Sequence, residues 1–298
     1  MKQQFNPANA EIKININGTL HGRDDARVSV FDSVVQGGDA VWEGLRVYDG
    51  RIFRLTAHLD RLAASAAALA FDSVPTHDEI RTQIRRTLDA NAMHDGVHIR
   101  LTLTRGIKVT SGMDPRLNTS GPTLIVLAEH KAPVYDKTGL TLITAATRRI
   151  PPDCLDQKIH SCNLLNSILA KIEANAAGAD DAMMLDYQGN IAETNATHLF
   201  FNLDGVLVTP FTTSCPEGVT RAAVLSLCAQ HGIESKVANI TLAEAYRARE
   251  IFCTGTMGEL AAVTRLDGRG IGEGSRGELC TRLSALYQEL TRREGEAP

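Results

Sequence analysis

Val97-His98-Ile99-Arg100-Leu101-Thr102-Leu103-Thr104-Arg105 alternates without a break: Val97, Ile99, Leu101 and Leu103 point one way, His98, Arg100, Thr102 and Thr104 the other. Successive side chains of an extended chain leave on opposite faces, so this stretch reads as a strand with an apolar face for a core and a polar face that needs a reason. Upstream, Ile12, Ile14 and Ile16 alternate with Lys13 and Asn15 before Asn17-Gly18, and Leu45-Arg46-Val47-Tyr48 runs through Asp49-Gly50 into Arg51-Ile52-Phe53. Asn-Gly and Asp-Gly tolerate the positive φ of tight turns, which makes both segments antiparallel hairpins. Pro122 to Ala128 adds a further strand.

Helices are expected over this sheet. Thr56 opens an apolar stripe through Leu59, Leu62, Ala66 and Leu69, and Thr76 with Glu79 forms a capping box ahead of Ile80, Ile84 and Leu88. Lys131-Ala132-Pro133-Val134-Tyr135-Asp136 then breaks the pattern. The expected division is a small α/β domain over 1–130, a linker over 131–137 and a large α/β domain over 138–298. In the second half the patterning predicts a strand from Leu140 to Thr147, a helix from Ser161 to Ala177, short strands from Asp181 to Thr209 and a helix from Val219 to His231 closed by Gly232. A strand from Glu250 to Cys253 and a last helix capped by Ser275 with Glu278 complete the reading.

Composition bounds the function. With 298 residues, 43% hydrophobic and 22% charged, the chain can build one large or two medium domains, and its formal charge of −4 lacks the basic footprint that follows nucleic-acid phosphates. No run approaches the roughly 20 apolar residues of a membrane span, and Met1 to Asn6 has no apolar leader core, so a soluble cytoplasmic protein is expected. The six cysteines are scattered without a C-x-x-C pair, which reads as reduced thiols and no metal centre.

Three places carry candidate chemistry. Ser214-Cys215-Pro216-Glu217-Gly218-Val219-Thr220-Arg221 ends a loop and opens a helix, where unpaired N–H groups and the helix dipole favour an anion; it also reads as an ordinary helix start. Thr254-Gly255-Thr256-Met257-Gly258-Glu259 follows a strand with small and hydroxyl residues that let backbone donors approach a ligand; a plain turn reads the same way. Lys158 sits among apolar and small neighbours, and a partly buried lysine becomes a nucleophile suited to Schiff-base chemistry, the alternative being a lysine at a strand edge. Glu193, in Ile191-Ala192-Glu193-Thr194-Asn195, is either a turn acid or a partner for a heterocyclic nitrogen.

The order of these motifs resembles the class IV, or fold type IV, pyridoxal-phosphate aminotransferases, which include branched-chain and D-amino-acid aminotransferases and aminodeoxychorismate lyase. The resemblance runs from about Ile12 to near the C-terminus through Val41-Trp42-Glu43-Gly44-Leu45-Arg46, His58-Leu59-Asp60-Arg61-Leu62, Lys158 with Asn163-Leu164-Leu165, Glu193-Thr194-Asn195, Gly218-Val219-Thr220-Arg221 and Thr254-Gly255-Thr256. It implies the two-domain α/β fold of D-amino-acid aminotransferase type and pyridoxal 5′-phosphate as cofactor. Lys158 is similar to the family's Schiff-base lysine and Glu193 to the carboxylate that keeps the pyridine nitrogen protonated. Arg61, Gly218, Val219, Thr220 and Thr256 are similar to its phosphate-binding groups. Trp42, Arg46, His98, Arg100 and Met257 fall where the substrate would lie.

The implied reaction is ping-pong transfer of an amino group from an amino acid, with a branched-chain-like preference, to a 2-oxo acid, in a homodimer or larger homo-oligomer. The block Glu43-Gly44-Leu45-Arg46 resembles branched-chain enzymes, whereas Lys158 followed by Asn163-Leu164-Leu165, and Arg116 in Gly112-Met113-Asp114-Pro115-Arg116, are closer to D-amino-acid enzymes. Glu217 stands where the family usually has proline and is expected to face solvent. D-amino-acid or (R)-amine transfer, an aminodeoxychorismate lyase and a non-catalytic phosphate-ligand binder are the competing readings.

Overall fold

The computed structural model describes residues 4–133, 135 and 138–298. It separates into two compact units: one comprises the chain up to Ala132 with Ile159–Asn163 and Thr291–Pro298, the other Pro133–Lys158 and Leu164–Leu290. Part of the expected linker, at 134, 136 and 137, lies outside the described residues.

In the first unit, β1 (Lys13–Ile16), β2 (Thr19–Gly22), β3 (Ala40–Tyr48), β4 (Arg51–Phe53), β5 (Val97–Thr104) and β6 (Thr123–His130) join Gly295–Glu296 in a seven-stranded antiparallel sheet. Its order is Gly295–Glu296, β4, β3, β5, β6, β1, β2. Both predicted hairpins form, with φ of 49° and 83° at Asn17 and Gly18 and 48° and 74° at Asp49 and Gly50. After the short α1 (Ser33–Gly37), α2 (Leu55–Ala68) and α3 (His77–Ala90) cover the sheet, and the Thr76–Glu79 capping box starts α3. Val41, Leu45, Ile99 and Leu101 pack against Leu59, Leu62, Ile80 and Ile84 in one core. Each such burial contributes about 1.5–3 kcal/mol, enough in sum to hold one face of the sheet shut and leave the other face to the polar residues.

In the second unit, the strands are β7 (Leu140–Thr144), β8 (Asp181–Leu185), β9 (Ile191–Thr194), β10 (His198–Leu203), β11 (Val206–Thr209), β12 (Ser235–Val237), β13 (Glu250–Gly255), β14 (Glu259–Leu266) and β15 (Arg269–Gly270). They form a mixed sheet in the order β12-β11-β10-β13-β14-β7-β8-β9, with β15 paired to β14. The helices are α4 (Leu165–Ala176), α5 (Val219–Gln230), α6 (Leu242–Tyr246) and α7 (Glu278–Arg293). Gly232, at φ 65°, ends α5 as expected.

At three of the boundaries that differ from the sequence reading, a backbone donor finds another acceptor. The helix expected from Ser161 begins at Leu165, since the preceding residues run along the edge of β3: Trp42 N–H donates to His160 O at 3.0 Å and Cys162 N–H to Ala40 O at 2.8 Å. The strand expected to reach Thr147 ends at Thr144; the N–H groups of Ala146 and Thr147 donate instead to the Glu173 carboxylate at 2.6 and 3.0 Å. The last helix starts at Glu278, and its orphan N–H groups at Leu279 and Cys280 are accepted by Glu250 at 3.2 and 3.0 Å, the role expected of Ser275.

Candidate functional site

In the second unit, the residues singled out by sequence gather around a pair the sequence did not reveal. Glu193 on β9 is buried, and its Oε1 accepts from Nη2 of Arg149, itself 5% exposed. Arg149 is fixed by its backbone bond to Leu185 O at 2.9 Å and by Nη1 donating to Ser167 Oγ at 3.0 Å. Removing either partner of a buried pair of this kind costs about 3–5 kcal/mol, because it leaves the other charge uncompensated. The other carboxylate oxygen, Oε2, lies 3.8 Å from His198 Nδ1 on β10.

His198 is where three segments meet. Thr254 of β13 is its register partner. Gly218, the N-cap of α5, lies so close that a Cβ there would come within 2.3 Å of the imidazole, so only glycine fits. Cys215 brings its Sγ within 4.8 Å of the Glu193 and His198 donor atoms. Burial pushes the Cys215 thiol well up, helped by Glu193 and opposed by the charges of Arg149, Arg221 and Lys158.

That last influence puts Lys158 in electrostatic reach of the same cluster. Its surroundings differ from expectation: Lys158 is exposed, in a turn held by its N–H donating to Asp156 Oδ1 at 2.9 Å.

Thr220, in the first turn of α5, is buried, and the opening N–H groups of that helix have no acceptor within it. The hydroxyls of Ser214 and Thr254 are buried without hydrogen-bond partners. Buried donors of this kind call for an acceptor, and with a helix N-terminus they fit an anionic group such as phosphate. Glu193 fits the protonated nitrogen of a ring. Thr256 and Met257 follow β13 half-buried, Val219 begins α5, and Glu217 is exposed, as its sequence context led us to expect.

The first unit holds the other set. On α2, Arg61 donates from Nε and Nη2 to Glu43 at 2.7 and 2.6 Å, and Glu43, fully buried on β3, also meets His58 Nδ1 at 2.7 Å and His160 Nδ1 at 3.3 Å. Burial alone would raise the Glu43 pKa, but the His160 charge and the hydrogen bonds from Arg61, His160 and His58 hold it well below the usual range.

The opposite, polar face of β3 and β5 carries Trp42, Arg46, His98 and Arg100. Trp42 stacks on His160 with ring centroids 4.3 Å apart, donates from Nε1 to Ser161 O at 3.0 Å, and receives the Arg100 guanidinium 3.5 Å from its ring centroid. Burial, then the charges of Lys131, Arg100 and Arg46, pushes the His98 pKa down to about 3, so this imidazole is neutral at physiological pH. Arg46 is buried with its Nε unpartnered, and Arg100 has Cys162 Sγ at 3.9 Å as its hydrogen-bonding neighbour. The polar face of the strand that opened the sequence reading is thus a cationic face. Arg116 is exposed and tied to Asp114 at 2.9 Å, its charge already satisfied.

Arg149, His198, Glu43, His58 and His160 were not assigned roles from sequence. Only Glu43 and His58 carried a signal, a charge or imidazole inside otherwise apolar blocks; Arg149 and His198 act through contacts between strands that no spacing records.

Comparison with known proteins gives a consistent result. The family described as Amino-transferase class IV matches residues 40–266. A branched-chain-amino-acid aminotransferase-like protein 2 of Arabidopsis thaliana is 53% identical over 286 residues, covering 96% of this chain and 51% of that protein. The chain thus spans about half the length of such curated relatives. A D-alanine aminotransferase of Bacillus licheniformis is 31% identical over 93% of this chain and 96% of its own. The crystal structure of a T.th. branched-chain amino acid aminotransferase complexed with N-(5′-phosphopyridoxyl)-L-glutamate superposes with a TM-score of 0.87 at 32% identity, covering 95% of each chain.

Proposed function

Because the chain belongs to the class IV amino-transferases, we propose that it is a pyridoxal-phosphate-dependent aminotransferase that moves an amino group from an amino acid to a 2-oxo acid by a ping-pong mechanism. The observation that carries this reading is the convergence, within one unit, of the Arg149-held Glu193 carboxylate, the glycine-started α5 with buried Thr220, and the unpartnered Ser214 and Thr254 hydroxyls, with Lys158 in reach. Pyridoxal 5′-phosphate, when bound, supplies an electron sink for the bond breaking at Cα of the amino acid.

The residues divide the work. Lys158 would hold the cofactor through its amine and, when free, that amine would take a proton from Cα of the amino acid and return it. Glu193, paired with Arg149, would hold the proton on the ring nitrogen. Gly218, Val219, Thr220 and Thr256 would receive the phosphate, and in the first unit Arg61, preset by Glu43, is proposed as an anion-binding group. In the first unit Trp42, Arg46, His98 and Arg100 are the proposed substrate contacts, the Arg100 guanidinium to hold a carboxylate and Trp42 to give apolar contact to a branched side chain.

A branched-chain-like donor is part of the proposal, supported by the Glu43-Gly44-Leu45-Arg46 block and the branched-chain relatives. Mixing the loaded protein with single amino acids should bleach the cofactor's visible band faster with L-leucine, L-isoleucine or L-valine than with any D-amino acid. One methylene of discrimination in such a pocket is worth only about 1–3 kcal/mol, so a broad aliphatic profile is expected. The D-hand reading draws on Asn163-Leu164-Leu165 and the D-alanine aminotransferase relative. Rapid bleaching by D-alanine with L-leucine inert would decide for it, although the Asp114-bound Arg116 makes a poor carboxylate trap.

A homodimer is proposed as well. Among the described residues, Val30, Phe31, Val35, Ile107, Val109 and Met113 are exposed in the first unit, and Leu165, Ile168, Leu169 and Ile172 line one face of α4 in the second. Exposed apolar groups at the i, i+3, i+4, i+7 spacing favour association with a second copy. Sedimentation should give about twice the 32.2 kDa of one chain; a monomer would refute it. We place the protein in the cytoplasm on its free thiols. No helix among the described residues is long and apolar enough to cross a membrane.

A further inference from the structure

Glu193, His198 and Cys215 offer a carboxylate oxygen, an imidazole nitrogen and a sulfur whose donor atoms all lie within 4.8 Å of one another, and all three residues are buried. We propose that, in the chain freed of cofactor, these three side chains bind a zinc-like divalent cation, and that cation and cofactor exclude each other.

The donor set suits a borderline-soft ion. Zinc takes carboxylate, imidazole and thiolate together at about 2.0–2.3 Å, which sets tetrahedral donors roughly 3.3–3.6 Å apart. His198 Nδ1 and Glu193 Oε2 are already 3.8 Å apart, close to that spacing. The three are also well supported. Arg149 engages Oε1 of Glu193 and so fixes the carboxylate with Oε2 toward His198. Gly218 packs on the imidazole and limits its swing, and Cys215 is held one residue after the buried Ser214 at the close of the loop before α5.

Charge is the main argument against a cation here, because the Arg149 guanidinium is adjacent. Cys215 gives its proton to solvent as the sulfur–metal bond forms, so the ion's two charges meet one thiolate and one carboxylate; the Glu193 charge is shared with Arg149, and the occupied cluster carries one net positive charge that the covalency of the sulfur and nitrogen donors must outweigh. A hard cation with oxygen preference has no such compensation and should not bind, which makes the site selective by chemistry.

Exclusion follows from the shared carboxylate and rests on the reading of Glu193 as the ring-nitrogen partner. A metal on Oε2 would occupy the place the protonated nitrogen needs and present a positive charge to it. Cation occupancy would then hold the chain in an unloaded state until a chelator or excess cofactor removes it.

The test is a zinc titration of the cofactor-free full chain by calorimetry, with the cofactor-loaded chain and magnesium as comparators. We expect one zinc per chain, no comparable magnesium binding, and at least a tenfold loss of zinc affinity in both Cys215→Ala and His198→Gln. Cys154→Ala, which removes an exposed thiol, should leave the titration unchanged. Two variants at different donors keep the test readable if one folds poorly. Zinc affinity unaltered in both would overturn the site. Loss in both, with zinc still bound by the loaded chain, would overturn the exclusion, and failure of zinc-free chain to take up pyridoxal phosphate at all would instead count against the proposed function.

Discussion

Replacing Lys158 by alanine should lower turnover by about four orders of magnitude while leaving pyridoxal phosphate able to bind, because the nucleophile and the proton carrier are one amine and the phosphate anchors lie elsewhere. The proposed anchors are the start of α5 with buried Thr220 and the Ser214 and Thr254 hydroxyls, whereas the lysine's own turn is held by Asp156. Single-turnover rates with L-leucine, set beside cofactor binding by dialysis, separate the two effects. Turnover within tenfold of the parent would mean that another amine does the chemistry. Loss of cofactor binding together with activity would mean that Lys158 is chiefly an anchor.

Glu193→Gln should slow the proton-transfer step by about two orders of magnitude, since a neutral amide no longer holds the charge on the ring nitrogen. The structure adds a second consequence. The amide would leave Arg149 buried without its counterion, so the variant should also melt earlier, by a loss approaching about 3–5 kcal/mol if nothing else compensates. Stopped-flow half-reactions and thermal unfolding read the two effects separately. Normal rates with lowered stability would make Glu193 a structural ion-pair partner and no more; slowed rates with unchanged stability would mean that Arg149 finds another acceptor.

Much of this architecture was legible because the informative patterns are local. Strict alternation from Val97 to Thr104, the Asn17-Gly18 and Asp49-Gly50 turns and the Thr76–Glu79 box each encode their own backbone, and the corresponding elements form as read. Boundaries went astray where an acceptor from far along the chain intervened: Glu173 for Ala146 and Thr147, Glu250 for the start of α7, and β3 for the residues ahead of α4.

The same distinction governs the site. Gly218 could be singled out because a helix start has a sequence signature, and the reason glycine is needed, the ring of His198, became visible only in the fold. Arg149 and Glu193 are 44 positions apart and meet across strands, so neither residue's neighbours announce the pair. The expectation of a partly buried Lys158 erred for a related cause: apolar neighbours in sequence do not bury a side chain in a turn, and this one is held open by Asp156.

The most direct test of the central claim is borohydride reduction of the cofactor-loaded protein followed by peptide mapping. The reduced cofactor should be found on Lys158, within the tryptic segment 150–171 left uncut at that residue. A label on Lys171 or any other lysine, or no label at all, would contradict the assignment.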